Sequence, residues 1–171
     1  MTTIDIGTVD DLPALVDIHN HTAATSNSNF NTRPVSVAER RDWFDQHSAT
    51  GPHRLLVARS SSALLGYACT SAYRDHEAFR ETVEVSIALH ESRRVQGIGT
   101  ALYGALFERL ADEPVHVALA GIALPNDASV ALHRKFGFQD VGVFREYAVK
   151  NDERISSLWM QRLFGLALRT R

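Results

Sequence analysis

Alternating apolar and polar residues predict the strands of this chain. Between residues 83 and 89, apolar side chains occupy every second position, which is the period of a strand with one buried face. Short stretches rich in apolar residues predict further strands at 4–6, 54–59, 63–72, 115–122, 141–149 and 155–163. Polar turn residues between neighbouring stretches, at 60–62 and 151–152, predict antiparallel hairpins.

Four helices are predicted where apolar residues recur at intervals of three and four. The first follows two candidate N-caps at 10–11, and the second opens with a capping box formed by Ser36 and Glu39. A third follows Gly99, and a fourth begins near Pro125. The resulting order, β-α-α-β-β-β-α-β-α-β-β, predicts an α+β domain with a mixed sheet rather than a doubly wound fold.

Composition narrows the class of protein without indicating its chemistry. A length of 171 residues suits one domain, and 18 Lys+Arg against 20 Asp+Glu argues against a nucleic-acid-binding protein. The single cysteine, Cys69, fits a reducing compartment, and no apolar run reaches the roughly 20 residues of a membrane span. The first residues, MTTID, lack the features of a secretory signal. We therefore expect a cytoplasmic protein with one domain, residues 1–164, and a tail, residues 165–171.

A glycine-containing segment between a strand and a helix is the first candidate for chemistry. In Arg94-x-x-Gly97-x-Gly99, backbone N–H groups and the helix N-terminus can converge on a pyrophosphate, with Arg93 and Arg94 adding positive charge. The segment is neither a P-loop nor a dinucleotide fingerprint, because the further residues of those motifs are missing. A tight turn before a helix would require glycine for geometry alone, so both interpretations stay open.

Two motifs together resemble the GNAT acetyltransferases. The strand VEVSIAL followed by RRVQGIGTALYGALFERL is similar to the acetyl-CoA motif of that superfamily. The downstream segment LPNDASVALH, closed by Phe136-Gly137-Phe138, resembles the phosphinothricin N-acetyltransferase branch, as do Asn20 to Phe30 and Phe79 with Thr82 and Glu84. The resemblance implies a GNAT fold, in which a mixed, mostly antiparallel sheet with a splayed central strand pair is flanked by helices.

The resemblance also implies acetyl-CoA as co-substrate and a homodimer. Its cofactor-binding residues would be Ile87, Ala88 and Leu89 along the pantetheine arm, Arg94, Val95, Gln96, Gly97, Ile98, Gly99 and Thr100 around the pyrophosphate, and Asn126 and Ser129 near the reacting end.

Acetyl transfer to an amine requires a base, because an α-amino group is largely protonated at neutral pH. Glu84 is the candidate, since the branch carries a glutamate there; the alternative is an exposed or salt-bridged strand residue. His133 shares a helix face with Asn126 and Ser129 and is the second catalytic candidate, able to donate a proton to the departing thiolate. It could equally be a packing or hydrogen-bonding histidine.

Five residues are candidates for the acceptor site. Phe30, Tyr73 and Phe79 would line it, and Arg74 or Arg80 would hold an acidic group of the substrate, although aromatic residues are more often part of the core. The branch's K-x-x-x-W-x-D pattern keeps its lysine at 150 but has Arg154 and Ser156 at its last two positions. That departure leaves the acceptor open among phosphinothricin, methionine sulfoximine or sulfone, and similar amines.

The sequence therefore predicts direct acetyl transfer from acetyl-CoA to a small amino acid-like amine in a ternary complex. The alternatives are a protein or peptide N-acetyltransferase and an acyl-CoA-binding GNAT module without turnover. No metal is expected, because His19, His21 and His76 show no ligand spacing with cysteines or carboxylates. Cys69, in an apolar strand, is expected to be an inert buried thiol.

Overall fold

Seven strands form one mixed sheet and four helices cover its two faces in the computed structural model, which describes residues 2–61, 63–90 and 97–165. The predicted order of elements and the predicted fold are confirmed. Only Gly165 of the predicted tail is among the described residues. The strands are β1 (Thr3–Ile6), β2 (Leu55–Arg59), β3 (Leu64–Ala72), β4 (Thr82–Leu89), β5 (Val117–Ala123), β6 (Gln139–Lys150) and β7 (Glu153–Leu163). The helices are α1 (Leu12–Thr25), α2 (Val37–Asp45), α3 (Ile98–Arg109) and α4 (Asp127–Lys135).

The sheet is antiparallel except at its centre. Its strand order is β1-β2-β3-β4-β5-β7-β6, and β4 and β5 form the parallel pair because the chain crosses over through α3 between them. The predicted turn between β6 and β7 has φ 52° at Asn151 and 64° at Asp152. Two successive left-handed residues match the right-handed twist of a hairpin, and Asn and Asp tolerate that conformation well.

The two central strands separate after three residue pairs. Thr82 to Glu84 pair with Val117 to Leu119, and beyond Glu84 the strand β4 continues to Leu89 paired only with β3. The strand β5 continues to Ala123 paired only with β7. This divergence confirms the predicted splayed pair and opens a gap in the middle of the sheet.

The alternation along β4 assigns its residues to the two faces of the sheet. Val83 and Val85 belong to the core formed with α3 and α4, where Leu102 and Leu106 are fully buried. Burial of such a side chain contributes about 1.5–3 kcal/mol. Ala88 packs on the opposite side, in the smaller cluster under α1 and α2. Alternation therefore directs Glu84, which shares the parity of Ala88, toward the α1 face.

The helix starts agree only in part with the sequence. Ser36 and Glu39 form the predicted capping box, with N–H···O distances of 2.7 and 3.2 Å. Asp11, one of the two predicted N-caps, is the N-cap residue of α1, but its side chain forms no capping hydrogen bond, because its carboxylate accepts the N–H of Thr8 at 2.7 Å instead. Arg59 also donates to this carboxylate at 2.6 Å. These hydrogen bonds lower the pKa of Asp11, although burial alone would raise it.

Candidate active site

A cavity of about 900 Å³ occupies the gap between β4 and β5. Its volume lies within the range of small-molecule sites. The side formed by α3 and α4 contributes Gly97, Ile98, Gly99, Tyr103, Asn126, Ala128, Ser129, Leu132 and His133. The side formed by the end of α1 and the segment after it contributes Thr22, Thr25, Ser26, Asn27 and Ser28. The diverging strands contribute Glu84 to Leu89 and Ala120 to Ala123. The cavity thus lies between elements on opposite faces of the sheet, an arrangement that can bring two molecules together from opposite sides.

The N-terminus of α3 lies at this cavity and offers backbone N–H groups that could bind an anion. Gly97 has a φ of 90°, which favours glycine, and the first-turn N–H groups of a helix have no acceptor within the helix. Gly99 is closely packed: a Cβ there would lie 3.2 Å from the Leu132 side chain, tighter than most Cβ contacts, and 3.6 Å from Ile87, an ordinary contact. Glycine lets α3 approach β4 and α4 closely. The predicted pyrophosphate residues Arg94, Val95 and Gln96 lie outside the described residues.

Within the described ranges, the part of β4 beyond Glu84 has one backbone edge with which no strand pairs. Ile87, Ala88 and Leu89 line the cavity and pair with β3 on one side only. Backbone groups that face the gap can therefore bond an extended molecule, as a neighbouring strand would. Thr100 is not among the cavity-lining residues, and its hydroxyl accepts a hydrogen bond from Lys135 Nζ at 3.4 Å.

His133 is buried and hydrogen-bonded through both ring nitrogens. Its Nδ1 lies 2.7 Å from the carbonyl oxygen of Ser129, and its Nε2 lies 2.9 Å from the hydroxyl of Tyr103. Because a carbonyl oxygen only accepts, Nδ1 carries the proton, and Nε2 of the neutral ring accepts the Tyr103 hydroxyl. Burial lowers the pKa of His133, although the Ser129 carbonyl opposes this, so the neutral form is favoured.

Tyr103 is a site residue that the sequence reasoning missed. It lies in the apolar stripe of α3 beside Leu102 and Leu106, a position that is typical of a core residue. The ring is indeed fully buried, yet it also lines the cavity. Burial raises the pKa of the Tyr103 hydroxyl well above its usual range, which keeps it protonated. Only the packing of α4 against α3 brings this hydroxyl to His133.

Glu84 lies where β4 and β5 separate, and it lines the cavity. It is half-buried, and burial raises its pKa. Among the described residues, none forms a hydrogen bond or an ion pair with its carboxylate. A carboxylate that is partly desolvated and without a charged partner accepts a proton more readily than one in water.

Asn126 has a structural contact in addition to its place in the cavity wall. Its side-chain oxygen accepts the N–H of Ser129 at 3.1 Å, which caps α4. Ser129 lines the cavity as well, and its hydroxyl lies 3.4 Å from His133 Nδ1. The amide N–H groups of Asn126 are not used by the cap, so they are the donors that a cofactor could engage.

None of the five predicted acceptor residues lines the cavity itself. Tyr73 and Phe79 form an edge contact with centroids 5.4 Å apart, and the Arg74 guanidinium lies 5.1 and 5.5 Å from their ring centres. Phe30 is 41% exposed and forms no direct ring contact with Tyr73 or Phe79. Arg80 is exposed and lies 3.5 Å from the carboxylate of Glu81.

Further aromatic rings connect Phe30 to Tyr73. The ring centroids of Phe30 and Tyr147 are 6.0 Å apart, and those of Tyr147 and Phe144 are 5.5 Å apart. The centroids of Phe144 and Trp159 are 6.1 Å apart. Trp159 lies 6.4 Å from Tyr73, which closes the series. We call these rings, together with Phe79, the aromatic belt. Sequence reasoning found its two ends and missed the residues on β6 and β7, because the contacts of Phe30 with Tyr147 and of Tyr73 with Trp159 join segments that are distant along the chain.

Other site types find no support in the described part of the chain. No three His, Cys, Asp or Glu side chains among residues 2–61, 63–90 and 97–165 lie together as metal ligands. None of the helices within those ranges combines the length and apolarity needed to cross a membrane. Cys69 is buried, and burial raises the pKa of its thiol to about 12, so the thiolate nucleophile is disfavoured.

Comparison with known proteins gives a consistent result. The model of the Acetyltransferase (GNAT) family matches residues 15–138. A phosphinothricin N-acetyltransferase from Streptomyces coelicolor is 40% identical over 158 residues, covering 91% of this chain and 92% of the relative. An L-methionine sulfoximine/L-methionine sulfone acetyltransferase from Pseudomonas paraeruginosa is 34% identical, with coverage of 90% and 89%.

A solved structure is similar over almost the whole chain. The GNAT superfamily phosphinothricin acetyltransferase from Sinorhizobium meliloti, in complex with AcCoA, superposes with a TM-score of 0.91 at 29% identity. The alignment covers 99% of this chain and 92% of that structure.

Proposed function

Because this chain belongs to the acetyltransferase (GNAT) family, we propose that it transfers the acetyl group of acetyl-CoA to the amine of a small amino acid-like molecule. It is an acetyl-CoA-dependent N-acetyltransferase. The observation that carries the proposal is the cavity between the splayed strands, which is lined from both faces of the sheet. Phosphinothricin, methionine sulfoximine and methionine sulfone are the acceptors that the names of the relatives favour.

Acetyl-CoA is assigned to the side formed by α3 and α4. Its pyrophosphate would bind at the N-terminus of α3, with Gly97, Ile98 and Gly99 supplying backbone N–H groups. Its pantetheine arm would pair with the free edge of β4 at Ile87 to Leu89. Asn126 and Ser129 would then meet the thioester end of the cofactor.

Glu84 is assigned the role of general base. Its carboxylate takes a proton from the acceptor's ammonium group, directly or through a water molecule. The neutral nitrogen then attacks the thioester carbonyl, so that a C–N bond forms and the C–S bond breaks, and the proton that the nitrogen loses passes to the departing thiolate of CoA. The raised pKa of Glu84 supports this role, since it brings the base closer to the operating pH.

His133 is assigned a positioning role rather than direct proton donation. Both of its ring nitrogens have protein partners, which leaves none directed at a thiolate. The neutral imidazole instead orients the hydroxyl of Tyr103, which lines the cavity. Tyr103 has a single O–H and donates it to His133, so it would have to turn this proton away from the imidazole to protonate the departing thiolate.

The acceptor is assigned to the α1 side of the cavity and the aromatic belt. Phe30, Tyr73 and Phe79 would border the approach, and Arg74 or Arg80 would attract the carboxylate that amino acid-like acceptors carry. These residues lie beyond the cavity wall, so their proposed contribution is to the entry and orientation of the acceptor.

We further propose that the enzyme is a cytoplasmic homodimer. The outer strand β6 exposes large apolar side chains, with Val141 at 60%, Phe144 at 57% and Val149 at 65%. Exposing apolar side chains and unpaired backbone groups at a sheet edge is unfavourable in water, and pairing with a second copy of the chain would bury both. The buried thiol of Cys69, in a chain with no second cysteine, is consistent with a reducing compartment.

The decisive experiment is a panel of acceptors. Release of free CoA from acetyl-CoA is followed with phosphinothricin, methionine sulfoximine, methionine sulfone, other amino acids and peptides. We expect turnover with one or more of the small amines and none with peptides. Turnover with peptides alone would favour a protein N-acetyltransferase, whereas measured acetyl-CoA binding without turnover would favour the non-catalytic module.

A further inference from the structure

A buried lysine lies outside the chemistry described so far. Lys150 is the last residue of β6, and only 2% of it is exposed. Its Nζ donates to the carbonyl oxygens of Ala23 at 2.6 Å, Ser26 at 2.8 Å and Asn29 at 2.6 Å. An ammonium group has three N–H donors, so all of them are used. A buried charge without such partners would be strongly unfavourable.

The three carbonyls belong to the end of α1 and the segment after it. Ala23 lies in the last turn of α1 and Ser26 is its C-cap, so two of the acceptors are at the negative end of the helix. Carbonyls in that position have no partner within the helix, and a cation there is electrostatically favourable. Lys150 therefore caps α1 from a strand 127 positions away in sequence.

The segment after α1 has little apolar surface with which to anchor itself. Residues 26–31 read Ser-Asn-Ser-Asn-Phe-Asn, and the only apolar side chain, Phe30, is 41% exposed. His19 also contacts the segment, with its ring nitrogens 3.1 Å from Asn29 Nδ2 and 3.0 Å from Asn31 Nδ2. Burial, together with the charge of Arg40, lowers the pKa of His19 to about 4, so this contact is neutral at physiological pH. Lys150 is the charged contact that fixes the backbone of the segment.

The same segment forms the acceptor-side wall of the cavity. Ser26, Asn27 and Ser28 line it on the face of the sheet to which Glu84 points. The cofactor side is built by β4, α3 and α4, and Lys150 donates to none of these elements. The lysine is therefore linked to one side of the cavity and not to the other.

We infer that Lys150 is a positioning residue for acceptor binding, because its ammonium group holds residues 26–29 in place as the acceptor-side wall of the cavity. The inference rests on the proposed function, since it takes acetyl-CoA to bind on the opposite side. A purely structural lysine would affect the folded fraction alone. A positioning lysine affects acceptor binding in molecules that are folded.

The first test compares Lys150→Met with Arg41→Met, which removes a cation from an exposed ion pair on α2. We expect Lys150→Met to raise the KM of the acceptor by about tenfold or more, equivalent to ~1.4 kcal/mol. The Kd of acetyl-CoA, measured by calorimetry, should stay within about twofold of the wild type, and Arg41→Met should change neither value. An unchanged acceptor KM with a kcat lowered only by the folded fraction would overturn the inference, as would an equal loss of acetyl-CoA affinity.

A second test uses the unmodified chain, and it stands even where the methionine variant fails to fold. The sequence contains only two lysines, Lys150 and the exposed Lys135, so amine-labelling rates can be assigned to each by mass spectrometry. We expect Lys135 to react rapidly and Lys150 slowly, and a bound acceptor to slow Lys150 further without affecting Lys135. Rapid labelling of Lys150, or no effect of the acceptor, would contradict the inference.

Failure of the proposed function would have a different signature. If the wild type acetylates none of the amines, that function is wrong, and hydrogen exchange still tests the role of Lys150. Backbone amides of residues 26–31 should exchange at least about tenfold faster in Lys150→Met than in Arg41→Met. Equal exchange in the two variants would show that Lys150 does not hold the segment.

Discussion

Replacing Glu84 by glutamine should lower activity and raise stability at the same time. Loss of the general base is expected to reduce kcat by about 10²–10⁴-fold, or roughly 2.7–5.5 kcal/mol of transition-state stabilisation. The carboxylate lies half-buried at the strand divergence, and no described side chain compensates its charge. A neutral amide of the same shape avoids the cost of burying a charge. We therefore expect the free energy of unfolding to rise by up to about 1 kcal/mol, which corresponds to ~2–4 °C in Tm.

The pH dependence of this gain follows from the direction of the pKa shift. Because folding raises the pKa of Glu84, its protonated form favours the folded state, and that contribution is present below the ordinary carboxyl pKa. It is lost as pH rises through the raised pKa of the folded protein. The Tm difference between Glu84→Gln and the wild type should therefore be close to zero in acid and should increase as pH rises through that window.

The assay combines CoA release, acetyl-CoA binding and thermal unfolding on the same preparations. Glu108→Gln serves as the matched control, since Glu108 is exposed on α3 and should change neither activity nor Tm. Acetyl-CoA affinity should be nearly unaffected by Glu84→Gln. A variant with wild-type kcat would refute the role of Glu84 as base, and a lower Tm across the pH range would refute the description of its carboxylate as unpartnered.

Three further outcomes are expected. Tyr103→Phe should lower kcat by about tenfold or more, and an unchanged kcat would exclude the hydroxyl from the reaction. Because the variant leaves His133 Nε2 buried without a partner, its free energy of unfolding, measured by chemical denaturation, should fall by about 1–3 kcal/mol. Gly97→Ala should weaken acetyl-CoA binding in calorimetry, because alanine adopts a φ of 90° only at a cost of about 1–2 kcal/mol. Gly104→Ala, where a Cβ would have open space, should leave the binding unchanged. Val141→Asp on the exposed face of β6 should convert a dimer of 19.0 kDa chains into a monomer by light scattering; a wild type that is already monomeric would refute the dimer.

The strands and helices could be predicted from the sequence because their signals are local. Alternation identified the residues of β4, and capping residues identified the start of α2. The divergence of β4 from β5 has no local signal, since it depends on where pairing stops between strands that α3 separates, and only the family resemblance indicated it. The same limit explains why the side-chain contact of His133 with Tyr103 was not foreseen. A tyrosine within an apolar stripe has the pattern of a core residue until the neighbouring helix is placed.

The two sides of the cavity differ in how the chain assembles them, and this difference has a consequence for specificity. The proposed cofactor side comes from the stretch between β4 and α4, where strand, crossover helix and strand follow one another. The proposed acceptor side combines the end of α1 with the hairpin of β6 and β7, which meet through Lys150. On that hairpin, Ser156 accepts the N–H of Glu146 at 3.0 Å, directly before the Tyr147 that contacts Phe30. Substitutions on the hairpin, including the family-pattern departures at Arg154 and Ser156, can therefore alter the acceptor side while the cofactor side keeps its geometry.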